Sequence, residues 1–152
     1  MSAEKKLKEL GIELPPVTPP VGAYLPAVVV DKYVYTAGQV PLVGGKLKYQ
    51  GRLGESLTVE EGKEAAKICT INALSAMRSV LGSLDKIERI VKLVGFINST
   101  NDFLEQAAVL NGASEFLAQV FGENGRHARS AMGVNVLWQM APVELEIIAK
   151  IK

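Results

Sequence analysis

Apolar and polar positions alternate along the chain with two periods, and the switches between them mark out the elements. Residues 3–10, AEKKLKEL, predict a short charged helix that Gly11 and the proline-rich LPPVTPP end. Those prolines favour an extended linker. Residues 24–40, YLPAVVVDKYVYTAGQV, predict a hairpin with a tight turn at Asp31–Lys32. The glycine-rich stretch 41–57 reads as loop with a short strand. Thr58 and Glu61 then stand at capping-box spacing, and Ala66, Cys69, Ala73, Met77 and Val80 recur at three and four residues up to Gly82. The β-branched IERIVKLVGFINS (87–99) predicts a strand, residues 102–122 a second helix ended by Gly122, and about 127–137 and 143–151 two final strands.

The implied order is hairpin, helix, strand, helix, hairpin, after a helical N-terminal extension. Two main helices on one face of a mixed sheet make an α+β layer architecture. Residues 1–19 are expected as helix and linker, and 20–152 as the folded domain.

The last two strands carry the most chemistry. In 143–151, Val143, Leu145, Ile147 and Ala149 share one face, and Glu144, Glu146 and Lys150 the other. In the strand before it, Met132, Val134 and Val136 share a face opposite Arg129, Ala131 and Gly133. If the two strands form a hairpin with their apolar sets together, paired residue numbers sum to about 279. Arg129 then faces Lys150, and Glu144 faces Asn135, on one polar face with room beside the small residues. Along that hairpin Arg129 and Glu144 lie about 20 Å apart, at about 3.3 Å per residue. A second subunit or a bulge is then needed to bring them together.

Composition narrows the function. The chain has 152 residues, 48% hydrophobic and 22% charged, with a net charge of +1. That length suits one domain, and the charge gives no general case for nucleic acid or an anionic membrane. The single cysteine, Cys69, leaves no intrachain disulfide and suits a reducing compartment. One histidine denies any multi-histidine metal site within a protomer. The N-terminus lacks a signal-peptide core, and no run reaches the roughly eighteen apolar residues of a membrane span. A cytoplasmic protein without a membrane association is the expectation.

The run ARS (128–130) followed by VELEIIA (143–149) resembles the Rid family, also called the YjgF family, of reactive intermediate deaminases. GAY (22–24), YTAGQVP (35–41), Asn72, NDF (101–103) and Asn111 match the same pattern in order, so the resemblance covers roughly residues 20–150. It implies a chorismate-mutase-like fold and a homotrimer with sites in the clefts between subunits. The implied activity is cofactor-free, metal-free hydrolysis of 2-imino or 2-enamino acids to 2-oxo acids and ammonia.

Carried over residue by residue, Arg129 is the expected anchor for the substrate carboxylate, since a guanidinium grips a carboxylate with two parallel hydrogen bonds. Its plain alternative is a surface or inter-strand arginine. Glu144 is the expected residue that positions or activates water, with a solvated strand face or a trimer salt bridge as alternatives. Tyr24 is expected to wall the pocket or to be an interface aromatic, and Asn111 to border the pocket or to be a helix-surface amide. Gly38 is expected to let backbone donors face a ligand. Ala37 stands where the family commonly has serine, and Ala131 where many active members have cysteine, so both make the pocket less polar. His127 and Arg126 map to no family role and read as loop or strand-edge residues. The competing reading is a non-catalytic, small-carboxylate-binding or regulatory trimer. The family's older labels, endoribonuclease and translation inhibitor, find little support in a near-neutral chain without a histidine pair.

Overall fold

Thr58 starts the longest helix as its spacing predicts. In a computed structural model, which describes residues 2–152, helix α2 spans Val59–Leu81. The Thr58 hydroxyl accepts from the Glu61 N–H at 3.2 Å, and the Glu61 carboxylate accepts from the Thr58 N–H at 3.0 Å. Two of the helix's free donors are thereby satisfied. Gly82, with φ of 82°, caps the other end in the left-handed region. Ala66, Cys69, Ala73 and Met77 are fully buried as the periodicity requires, but Val80 is 44% exposed and Leu81 turns inward instead.

The remaining elements are α1 (Ala3–Glu9), β1 (Ala27–Val30), β2 (Tyr33–Thr36), β3 (Leu42–Val43), β4 (Lys46–Leu47), β5 (Ile87–Asn98), α3 (Gln106–Phe121), β6 (Ala128–Val134) and β7 (Val143–Ile151). The β1–β2 hairpin turns at Asp31, whose φ is 52°, as expected from the sequence. Helix α3 starts four residues later than the apolar pattern suggests. A turn closed by Phe103 N–H to the Thr100 carbonyl, with the Thr100 hydroxyl on Asp102, occupies the preceding residues.

The expected final hairpin does not form. The five-stranded sheet runs β1-β2-β7-β5-β6, so β5 separates the last two strands, antiparallel to β7 and parallel to β6. Burial explains this order. Val143, Leu145, Ile147 and Ala149 of β7 are all completely buried and need a strand on each side, whereas β6 is half-exposed throughout and suits an edge. Two register irregularities in β5 let Ile87, Ile90, Leu93 and Ile97 all face the helices despite their uneven spacing.

The order also reverses the expected faces of β6. Arg129 pairs with Leu93, which pairs with Ile147, so Arg129, Ala131 and Gly133 lie on the helix side. Met132 pairs with Phe96, which pairs with Glu144, on the open side. Arg129 and Glu144 are therefore on opposite faces. They are three residues apart along the strands and two strands apart, about 10 Å each way, or roughly 14 Å between Cα atoms. The open face is not the polar, small-residue surface the sequence suggested. Val28, Val30, Tyr33, Tyr35 and Met132 all stand at least 38% exposed on it, beside Phe96 and Ile148.

Both long helices cover the other face, where Leu74 and Met77 of α2 and Leu110, Phe116 and Leu117 of α3 close the core. The helices cross very closely. A Cβ on Gly112 of α3 would stand 2.1 Å from the Lys63 carbonyl oxygen of α2, a backbone atom that cannot swing aside. Gly112→Ala is expected to cost about 3 kcal/mol or more, lowering Tm by about 6–12 °C in a chain of this size. A melting curve within 2 °C of the parent would contradict this account of the crossing.

The N-terminal segment is built into the fold. Ala3 and Leu7 are buried, the Ser2 hydroxyl donates to Asp85 at 2.9 Å, and the Leu84 N–H donates to Glu4 at 3.0 Å. Helix α1 thus packs on α3 and on the Leu84–Lys86 turn that leads into β5. Among the described residues no helix is long and apolar enough to cross a membrane.

Candidate functional site

Glu144 lies on the open face of β7 and lines a cavity of about 270 Å³. Its neighbours there include Tyr24, Gly38, Gln39 and Trp138, with Pro19, Pro20, Val40 and Leu42 completing apolar walls. Glu144 is the only charged residue of that lining and has no ion-pair partner among the described residues. Burial raises its carboxyl above the ordinary value of 4.5, and the nearby Glu146 charge adds to the rise. A half-buried carboxylate of raised basicity suits a group that takes or directs a proton.

The chain beyond β2 is shaped around this side chain. Gln39 exchanges both backbone hydrogen bonds with Leu145, extending the β2 edge along β7 past Glu144. For Glu144 the missing side chain matters at Gly38. Its φ is not positive, but a Cβ there would stand 2.6 Å from Oε2 of Glu144. Its lack of a side chain makes room for the carboxylate. Ala37 sits just outside the lining, and its N–H is taken by the Pro26 carbonyl at 2.8 Å. Tyr24 forms the lip, with its hydroxyl accepting from the Val21 N–H at 3.4 Å. Asn72, which the sequence marks only as a motif match, donates from Nδ2 to the Val40 and Leu42 carbonyls at 3.0 Å each. It ties the pocket wall to α2.

Arg129, Asn111 and Ala131 are not in this cavity. Arg129 projects from the edge strand onto α3, donating from Nη1 to the Ser114 hydroxyl at 3.0 Å and from Nη2 to the Ala107 carbonyl at 3.2 Å. Asn111 lies between Ala107 and Ser114 on that helix face, four and three residues away from them. Ala131 packs against the core. No carboxylate of the described residues pairs with Arg129, so the guanidinium keeps its charge for another partner.

Sequence reasoning set His127 aside, yet it belongs to the arginine's surroundings. Nδ1 stands 2.6 Å from the Gly125 carbonyl, which only accepts, so Nδ1 carries the proton. Nε2 lies 3.0 Å from the Ser114 hydroxyl and accepts from it in the neutral ring. The chain of donors runs from Arg129 through Ser114 to His127 and on to Gly125. Burial lowers the His127 pKa below 6.5, the Gly125 hydrogen bond opposes that, and the Arg129 charge adds to the lowering. Only the residue types and the helical spacing of Asn111 and Ser114 hinted at this cluster.

A depressed histidine stabilises the fold fully above its unfolded value near 6.5, and that contribution is lost as pH falls from there through the folded value. His127→Gln should therefore flatten the loss of Tm between pH 7 and pH 5. Partial exposure keeps the effect below about 1 kcal/mol, or about 4 °C. Identical pH slopes for parent and variant would overturn the neutral-histidine assignment.

The chain resembles several known proteins over nearly its whole length. A protein called TCP17 from Trypanosoma cruzi is 43% identical over 148 residues, covering 95% of this chain and 91% of that protein. The crystal structure of Atu1372 from Agrobacterium tumefaciens, described as of unknown function, superposes with a TM-score of 0.92 at 40% identity, over 99% of this chain and 92% of that one. A Shewanella oneidensis MR-1 structure superposes at 0.95 with 35% identity, over 99% of this chain and all of that one. A family model described as "YjgF/chorismate mutase-like, putative endoribonuclease" matches residues 4–147. The chain belongs to this YjgF/chorismate mutase-like family.

Proposed function

We propose that the protein hydrolyses 2-imino and 2-enamino acids to 2-oxo acids and ammonia, at a site shared between subunits of a homotrimer. The observation that carries this reading is the division of the site. One apolar cavity holds an unpaired carboxylate of raised basicity, while an unpaired, oriented guanidinium sits on the sheet's free edge. A substrate carboxylate in the Glu144 cavity alone would meet only negative charge, so a cation has to come from elsewhere. The exposed apolar and aromatic open face supports association with further copies, since patches of this kind mark interaction surfaces.

In this reading Arg129 of one subunit holds the substrate carboxylate and Glu144 of the next directs water. An enamine first tautomerises to the imine. Water adds to C2 of the C=N bond, giving up a proton to Glu144, and the nitrogen is protonated. The carbinolamine then collapses with loss of ammonia, leaving the oxygen as the ketone. The imine is already electrophilic, so orientation and one modest base supply the chemistry. No step in this scheme calls on a cofactor.

The test is ammonia release from an imino acid generated in situ by an amino acid oxidase. The reading expects ammonia to appear faster than by spontaneous hydrolysis; rates equal to buffer would contradict it. A second reading, a carboxylate-binding assembly without turnover, draws on Glu144 being the only charged residue of the cavity lining, so no second acid–base group stands beside it. Saturable 2-oxo acid binding with no acceleration would favour it. The ribonuclease in the family description draws less support, because a phosphodiester would meet the lone Glu144 carboxylate.

A further inference from the structure

The turn between β6 and β7 is a strained segment. Gln139 and Met140 are consecutive non-glycine residues with φ of 48° and 61°. Left-handed backbone at such residues persists only when neighbours hold it, and it gathers at functional sites. Here the neighbours are explicit. The Gln50 side chain donates to the Gln139 carbonyl at 3.0 Å, the Gly51 N–H donates to the Met140 carbonyl at 2.8 Å, and buried Asn98 donates to the Ala141 carbonyl at 3.3 Å. The residue this turn presents is Trp138, the chain's single tryptophan, which lines the Glu144 cavity while 46% exposed.

Tyr24, 50% exposed, also lines that cavity. Its ring is backed by the backbone of Gly22, where even a Cβ would be in contact at 3.4 Å. Two half-exposed aromatic rings and a run of prolines leave a polar or charged substituent with few hydrogen-bonding partners. They offer a flat apolar one stacking surface instead. The volume of about 270 Å³ is near the lower end for small-molecule sites, enough for one aromatic ring and its amino-acid-sized head.

We propose that Trp138 and Tyr24 make this site selective for 2-imino acids bearing a flat, aromatic side chain. The inference rests on the deaminase reading for the reaction itself, but the selectivity is measurable without turnover. Because Trp138 is the only indole, its fluorescence reports occupancy directly. Titration of the intact protein with phenylpyruvate and with pyruvate should show Trp138 quenching by both, with a Kd at least tenfold lower for phenylpyruvate. Equal affinities, or no quenching by phenylpyruvate, would overturn the proposal. An aromatic preference in binding with no ammonia release would leave the selectivity standing and remove the deaminase reading.

Variants separate this role from a structural one. Trp138→Ala should lower kcat/KM for the phenylalanine-derived imino acid by about 10–100-fold and for the alanine-derived one by less than about threefold. Trp138→Phe should restore most of the loss, with the oligomer's mass unchanged. Equal losses on both substrates, or dissociation of the assembly, would assign Trp138 to packing and sink the inference.

Discussion

Arg129→Ala is expected to lower kcat/KM for imino acid hydrolysis by about 10²–10³-fold. That is the loss of two charge-assisted hydrogen bonds of about 1.5–3 kcal/mol each, partly offset by water entering the site. Arg129→Lys should recover no more than about tenfold of it, since an ammonium keeps the charge but not the planar fork. The fold should survive, because the arginine is only half-buried on an edge strand and its partners are a hydroxyl and a helix carbonyl. Steady-state ammonia release, with circular dichroism as a control, checks both points. Parent-like kinetics in the alanine variant would remove Arg129 from the site.

Glu144→Gln should cost about 10²–10⁴-fold in kcat, the usual contribution of a positioned proton acceptor. It should also make the protein more stable at neutral pH. The folded pKa of Glu144 is raised, so the native state binds its proton more tightly than the unfolded chain does, and stability falls as pH rises through the window above 4.5. Removing the charge removes that cost. The gain reads as an upward Tm shift, at about 2–4 °C per kcal/mol for this size. The acid limb of the parent's kcat profile, rising with pH through Glu144's own value, should vanish in the variant. A variant that loses activity and stability together would point to a structural role for Glu144.

Most elements of this fold are legible in local sequence, and the arrangement of its sheet is not. The capping box at Thr58 and Glu61, the Asp31–Lys32 turn and the alternation of β7 act over a few residues, and each appears where its pattern places it. The pairing of β7 with β5 is a long-range choice. The short connection from Val134 to Val143 reads naturally as a hairpin loop, yet it crosses the end of β5, where the Asn98 N–H donates to Pro142. Because β6 carries apolar and polar residues on both faces, its alternation alone could not reveal which side meets the helices. That one ambiguity turned Arg129 onto the wrong face.

Some of the neighbourhoods within the candidate site were legible in the same way. Tyr24, Gly38 and Glu144 converge on one cavity, and Arg129 and Asn111 share the α3 edge. Trp138 lies just past the strand expected over about 127–137, and nothing local announces the two left-handed residues after it. Ser114 and His127 were hidden because their partnership joins the middle of α3 to the residue before β6, thirteen residues apart in sequence.

The central claim is that Arg129 and Glu144 act together from different chains. Mixing Arg129→Ala and Glu144→Gln proteins, each inactive alone, under conditions that exchange subunits tests it most directly. Sites in which the glutamine variant supplies Arg129 and the alanine variant supplies Glu144 are intact. Random mixing in equal amounts should therefore restore about one quarter of parental activity in a cyclic oligomer. Hybrid oligomers seen by native mass spectrometry with no activity restored would contradict the shared site.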